Sequence, residues 1–181
     1  DMSTQTAEET LQDMMTQYCG DLWSSSSVYP DMKKLREVLT QLSDQQKLHI
    51  LQQEYSGWGT PLNCAAFRDH TEIISTLLTS LQSSADRLKL LMVNDKYTPL
   101  HEAAHHGHTE SVKMILDCLT ADQQIQIMSV QAYGKTAIQC AERCRHTDTV
   151  RVLREHQQRT ETLHKQQKQS RIHKSVSGRL F

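Results

Sequence analysis

The apolar residues of this chain recur at the three- and four-residue spacing of amphipathic helices. The clearest examples are Ile73, Ile74, Leu77, Leu78 and Leu81 in one segment and Val112, Ile115, Leu116 and Leu119 in another. Residues 32–51 show the same spacing through Leu35, Val38, Leu39 and Leu42. Gly (6) and Pro (3) are scarce, which favours helices joined by short turns. We therefore predict an all-α fold.

The helical pattern repeats with a period of 38 residues. The equivalent positions are Thr60, Thr98 and Thr136; His70, His108 and His146; Thr71, Thr109 and Thr147; and Ile74, Val112 and Val150. A pair of alanines at 65–66 and 103–104 also matches, and Ala141 keeps one of them in the third copy. A fixed period of this length indicates a stack of structural repeats.

The three copies begin TPLNCAAFRDH (60–70), TPLHEAAHHGH (98–108) and TAIQCAERCRH (136–146), and the second closely resembles the ankyrin consensus. Each Thr is suited to cap a first helix, and Pro fits its first turn, where the missing N–H is harmless. The small Ala residues allow neighbouring helices to approach closely. The resemblance covers about residues 32–156 and implies a solenoid of stacked helix pairs.

The repeat is longer than the roughly 33 residues of the family. The additional residues follow the second helix at 44–51, 86–92 and 122–128, and each of these segments begins with Asp and ends apolar. We interpret them as an extra short helical turn in every repeat. The expected architecture is therefore an all-α ankyrin solenoid of about four stacked helix pairs, of a variant subtype.

We divide the chain into a capping repeat, three ankyrin repeats and a tail. Residues 1–51 are interpreted as a divergent N-terminal capping repeat, with a capping box at Thr6 and Glu9 and a loop from Gly20 to Pro30 that carries Trp23. Residues 52–158 form three repeats, at about 55–92, 93–130 and 131–158. Residues 159–181 are basic and poor in apolar side chains, so we expect a flexible tail.

Two consensus positions differ between the copies. Asn63 and Gln139 replace the consensus His, and Asp69 and Arg145 replace the Gly that ends the first helix. A left-handed backbone is easiest for Gly at such a helix end. We therefore expect strain at Arg145.

Charge is balanced overall, with a net charge of -1, but it is not evenly distributed. Residues 1–31 hold six acidic residues and no Lys or Arg, whereas 156–181 hold six Lys/Arg and one acid. Five cysteines without a disulfide spacing, no apolar run long enough for a membrane span and no apolar leader favour a cytoplasmic protein, with a nuclear location as an alternative. We expect a monomer.

Two motifs resemble metal-binding or catalytic sites, but a structural role explains each of them better. Residues 101–105 read His-Glu-Ala-Ala-His and match the H-E-x-x-H zinc-protease pattern. His101 is also the consensus ankyrin His, and no third ligand follows at a suitable spacing. Cys140 and Cys144 share a helix face but lack a second Cys pair that a metal site would need. We predict no catalytic, metal or cofactor site, and hence no enzyme.

The remaining candidate for a functional site is a partner-binding surface. The resemblance implies that loop tips and the concave side of the first helices bind a protein or an exposed peptide, as in an adaptor, a scaffold or a masking inhibitor. The matching residues are Trp58, Phe67, Arg68, Tyr97, His105, His106, Tyr133 and Arg143. Aromatic and Arg side chains are frequent interface anchors, and this mixture suits an acidic partner with apolar anchors. Two alternatives are a regulatory domain of a larger enzyme or channel and a nucleic-acid role of the basic tail, although the tail's low charge density argues against nucleic acid.

Overall fold

The computed structural model describes residues 2–20, 29–55, 57, 59–93 and 97–177, with side chains described between 5 and 170. These residues form eleven α-helices and no β-strand. The first six are α1 (Met2–Gly20), α2 (Met32–Gln41), α3 (Asp44–Leu51), α4 (Pro61–Phe67), α5 (Thr71–Thr79) and α6 (Ser84–Leu91). The others are α7 (Pro99–His106), α8 (Thr109–Asp117), α9 (Ala121–Ser129), α10 (Ala137–Arg143) and α11 (Thr147–Ser177).

The helices are arranged as four consecutive units. The first helix of each unit is α1, α4, α7 or α10, the second is α2, α5, α8 or α11, and the third is α3, α6 or α9. Helix α7 packs between α4 and α10, and α8 packs between α5 and α11. This confirms the all-α repeat solenoid. The extra element predicted as a turn is a helix of eight or nine residues in each of the first three units.

Side-chain caps fix where the first helices begin. Thr60, Thr98 and Thr136 each accept a hydrogen bond from the backbone N–H three residues later. Pro61 and Pro99 follow directly as the first helical residues. The sequence reading of these helix starts is therefore confirmed, and the caps satisfy backbone donors that a helix cannot satisfy internally.

The apolar positions of the repeat form one continuous core. Ile74 and Val112 are fully buried, as are both alanine pairs. Val150, the equivalent residue in the fourth unit, is only partly buried and packs against the edge of the core. Burial at one unit thus depends on the next unit, as expected for a linear stack.

Asn63 makes the same two hydrogen bonds as the consensus His. In α7, His101 Nδ1 lies 2.8 Å from Thr98 Oγ1, and His101 Nε2 lies 3.1 Å from the Lys135 carbonyl in the next unit. In α4, Asn63 Oδ1 accepts from Thr60 Oγ1 at 2.8 Å, and Asn63 Nδ2 donates to a carbonyl 34 residues ahead at 3.0 Å. The amide therefore reproduces both bonds of the imidazole, so this departure from the consensus leaves the link between units intact.

The third helices cap the C-terminal ends of the second helices. The fourth residue after each of their N-caps is Lys47 in α3, Arg87 in α6 and Gln124 in α9. Lys47 donates to a carbonyl at the end of α5 at 2.7 Å, and Arg87 donates to two carbonyls there at 2.9–3.1 Å. Gln124 Nε2 donates to two carbonyls at the end of α8 at 2.8 and 3.2 Å. The residues added to the repeat thus satisfy helix-end acceptors that would otherwise need solvent.

The first helices of the last three units end in a left-handed residue. The φ angles are 55° at Asp69, 73° at Gly107 and 62° at Arg145. The prediction that Arg145 is left-handed is confirmed. A Cβ on Gly107 would lie only 2.5 Å from His146 Nδ1, so Gly is required there for space as well as for conformation.

Two predictions about the ends of the chain need correction. The capping box at Thr6 and Glu9 is wrong, because α1 begins at Met2 and Thr6 lies inside the helix. The predicted loop with Trp23 falls largely outside the described residues. The segment expected to be a flexible tail from residue 159 is helical to Ser177, and Thr160 is buried. No Gly or Pro interrupts α11, and its Gln, Lys, Arg and Glu residues are good helix formers, which explains the continuation.

Candidate interaction surface

The predicted site residues lie at the ends of the first helices and in the turns before them. Phe67, His105 and Arg143 are equivalent in α4, α7 and α10, and His105 and Arg143 are exposed. Tyr97 and Tyr133 precede α7 and α10. Trp58 falls outside the described residues. We call six of these residues the ridge: Phe67, Tyr97, His105, His106, Tyr133 and Arg143.

Among the described residues, Tyr133 is the most exposed large apolar side chain, and it lies at a turn tip. Its side chain is 80% exposed, and its backbone is left-handed with φ 50°, followed by Gly134 at φ 73°. Ala132 and Lys135 exchange two backbone hydrogen bonds at 2.8 and 3.0 Å and close the turn. Two successive residues with positive φ are typical of a tight hairpin turn that favours Asn or Gly. Tyr at the first of these positions is locally unfavourable, so this turn displays an aromatic ring at a cost in stability.

The aromatic rings of the ridge form two pairs, one tilted and one edge-to-face. The Tyr97 and Tyr133 ring centroids are 6.0 Å apart, and those of Phe67 and His106 are 4.7 Å apart at an interplanar angle of 80°. His106 also stacks on His108 at 5.8 Å. Burial, followed by the neighbouring His105, His108 and His146, lowers the pKa of His106. The imidazole is therefore mostly neutral at neutral pH and behaves as part of an aromatic surface.

Arg68 is held by the first unit. Its Nη1 donates to the Tyr18 carbonyl at 2.7 Å, and its guanidinium carbon lies 4.9 Å from the centre of the Tyr18 ring. The guanidinium thus closes the C-terminal end of α1 and stacks on its aromatic residue. Because these contacts hold the guanidinium against α1, we do not include Arg68 in the ridge.

Sequence reasoning missed Glu102, which lies one turn before His106 on α7. Its side chain is 18% exposed, and Oε1 lies 3.3 Å from His106 Nε2. Burial raises the pKa of this carboxyl from 4.5 to about 7. The equivalent positions hold Cys64 and Cys140, so the sequence signal was a charged residue at a repeat position otherwise filled by a small apolar one.

The zinc-like motif does not present two free ligands. Because the Lys135 carbonyl can only accept, His101 Nε2 carries the proton, and Nδ1 accepts from the Thr98 hydroxyl. Burial lowers the pKa of this histidine and favours the neutral form. His105 Nδ1 contacts Cys144 Sγ at 3.4 Å. In the described part of the chain, no cluster of three or more His, Cys, Asp or Glu residues is arranged to hold a metal ion.

All five cysteines are free thiols, and three of them are buried in the stack. Cys140 is 7% exposed, and burial raises the pKa of its thiol. Cys144 is partly exposed beside His105. The two therefore differ in environment despite sharing a helix face.

Sequence comparison agrees with the repeat geometry. The family model for ankyrin repeats (3 copies) matches residues 32–127 and 84–165. No curated protein matched the chain. Among the described residues, no helix combines the length and apolar character of a membrane span. The family match spans more than half of the chain and coincides with the stacked helical units, so the protein belongs to the ankyrin-repeat family.

Proposed function

We propose that this protein binds another protein, or an exposed peptide segment of one, through the ridge. Ankyrin repeats are generally protein-interaction modules, which supports the class of function. The observation that carries the location is Tyr133, an aromatic side chain 80% exposed on a left-handed turn. A partner that covers this ring would offset the cost of displaying it.

The geometry of the stack favours the same location. The apolar side chains of the second helices are used by neighbouring units, as the full burial of Ile74, Val112 and Leu116 shows. The turn tips and first-helix ends remain accessible, and they carry the aromatic pairs described above. Aromatic rings lose little conformational entropy on binding, which suits them as anchors.

Arg143 and His105 give one end of the ridge a polar character. Both are exposed, and no described residue contacts the Arg143 guanidinium through an ion pair. An acidic group of the partner would find a cationic contact there, while apolar side chains contact Tyr97 and Tyr133. In the cell such binding would serve an adaptor, a scaffold or a masking inhibitor, without chemistry of its own.

The test is quantitative affinity capture from a native lysate with three baits. The wild type is compared with a ridge variant, Tyr133→Ala with Arg143→Glu, and with an outer-helix variant, Glu110→Gln in α8. Glu110 has a side chain that is 68% exposed and pairs only with Lys113 among the described residues, so its loss should leave the fold intact. We expect partners to be lost with the ridge variant and retained with the outer-helix variant. The opposite pattern would place binding on the convex face and refute the ridge assignment.

A further inference from the structure

Glu102 is the one charged residue in a row of three equivalent positions along the first helices. The other two, Cys64 and Cys140, are 1% and 7% exposed. The row faces neighbouring units, so a residue placed there loses most of its water. Glu102 retains a partly exposed carboxylate in the middle of the stack, with α4 on one side and α10 on the other.

The surroundings of this carboxylate are aromatic and offer little positive charge to balance it. Its nearest charged neighbour among the described residues is His106, an ion pair only when the imidazole is protonated. The Cys64 thiol of α4 and the Tyr97 hydroxyl lie close enough to interact electrostatically with this carboxylate. Because the thiol and the hydroxyl are uncharged, neither can balance the charge of the carboxylate. In the free protein, Glu102 is therefore a desolvated acid to which these segments supply no positively charged side chain.

We infer that Glu102 is a subsite for a Lys or Arg side chain of the bound partner. The inference rests on the proposed function and adds the chemistry of one contact to it. The partner's ammonium or guanidinium group reaches the exposed part of the carboxylate. Its aliphatic stem lies against the ring of Phe67, which packs on His106, or against the ring of Tyr97 in the turn that precedes α7.

A cation fits this position better than another acid or an apolar group. A second acid would add repulsion, and an apolar group would leave the carboxylate buried without a partner. A cation stabilises the ionised form and forms a charge-assisted hydrogen bond in a partly desolvated setting. With Arg143 at the far end of the ridge, the partner segment carries an acid and a Lys or Arg together with an apolar anchor.

The test is selection of a random dodecapeptide library displayed on phage against the full chain. Wild type, Glu102→Gln and the control Glu110→Gln are used as targets. Glu102→Gln keeps the shape of the side chain and removes the charge. We expect peptides enriched in Lys or Arg on wild type and on the control, and loss of this enrichment on Glu102→Gln. A synthetic copy of a selected peptide should bind Glu102→Gln at least about tenfold more weakly than wild type.

The outcomes separate this inference from the proposed function. In one outcome, the selected peptides lose binding to Tyr133→Ala but are equally enriched in Lys and Arg on wild type and on Glu102→Gln. That result would overturn the subsite and leave the ridge assignment standing. Peptides that bind Tyr133→Ala and Arg143→Glu as well as wild type would refute the ridge and the subsite together. Thermal unfolding of Glu102→Gln, expected at or above the wild-type midpoint, excludes misfolding as the cause of lost binding.

Discussion

Replacing Arg145 by Gly should stabilise the protein. Arg145 lies two residues after the end of α10 and has a φ of 62°. Its backbone N–H donates to the Glu142 carbonyl at 3.0 Å, and its side chain is exposed. The described residues give its guanidinium no ion pair that the change would remove. The substitution therefore relieves backbone strain without breaking a side-chain hydrogen bond or ion pair in the described structure.

The magnitude follows from two opposing effects. A left-handed backbone costs a residue with a Cβ about 1–2 kcal/mol, which Gly does not incur. Gly also gains more conformational freedom in the unfolded chain, which costs about 0.4–1 kcal/mol. The net gain is therefore roughly 0.5–1 kcal/mol, equivalent to an increase of about 1–4 °C in the melting midpoint for a chain of this size.

Two equivalent positions provide matched controls. Asp69→Gly should not stabilise, because Asp69 accepts a hydrogen bond from Ser111 Oγ at 2.6 Å that Gly cannot replace. Gly107→Ala should destabilise, because its Cβ would meet the His146 ring. Thermal unfolding followed by circular dichroism at 222 nm measures all three. A lower midpoint for Arg145→Gly than for wild type would refute the strain argument.

Three further predictions concern the third helices, the buried acid and the histidines. Arg87→Met should lower the free energy of unfolding by about 1–3 kcal/mol in denaturant titrations, because carbonyls at the end of α5 lose their hydrogen-bond donor. The control is Lys89→Met, which should change the free energy of unfolding by less than about 0.5 kcal/mol because the Lys89 side chain is 64% exposed. The raised pKa of Glu102, about 7, means that the folded state binds more protons than the unfolded state between about pH 4.5 and 7, so wild type should lose stability relative to Glu102→Gln as pH rises from 5 to 8. A pH-independent difference in midpoint would contradict that assignment. Treatment with EDTA should leave the melting midpoint unchanged, since His101 uses both ring nitrogens in hydrogen bonds; unfolding on chelation would show a structural metal.

The period of 38 residues was sufficient to predict the stack, because each repeat position has a local physical requirement. Thr98 followed by Pro99 predicts a helix start, and the residue before His146 must turn left-handed whatever its type. These requirements concern neighbouring residues in sequence, so the chain alone reveals them. The third helix was visible as an Asp followed by apolar residues, but its length was underestimated.

Contacts between units were not predictable in the same way. Arg68 looked like a free surface cation, yet it reaches the Tyr18 carbonyl of the preceding unit, which only the folded stack brings close. Glu102 was not singled out from the sequence, although its equivalents in the other repeats, Cys64 and Cys140, mark it as an unusual charge at that position. The helix beyond residue 158 was missed because its low apolar content was interpreted as disorder. Thr160 is nevertheless buried, and His164 Nδ1 lies 3.1 Å from Asp122 Oδ1 on α9, so α11 stays against the stack beyond residue 158.

The most direct test of the account is hydroxyl-radical footprinting of the complex with a captured partner. Side-chain oxidation is measured at Tyr133, Tyr97 and His105 on the ridge and at Met114 on α8, with and without the partner. We expect strong protection of Tyr133, which is 80% exposed in the free protein, with smaller protection of Tyr97 and His105 and none of Met114. Protection of Met114 with unchanged oxidation of Tyr133 would contradict binding at the ridge and place the partner on the outer helices.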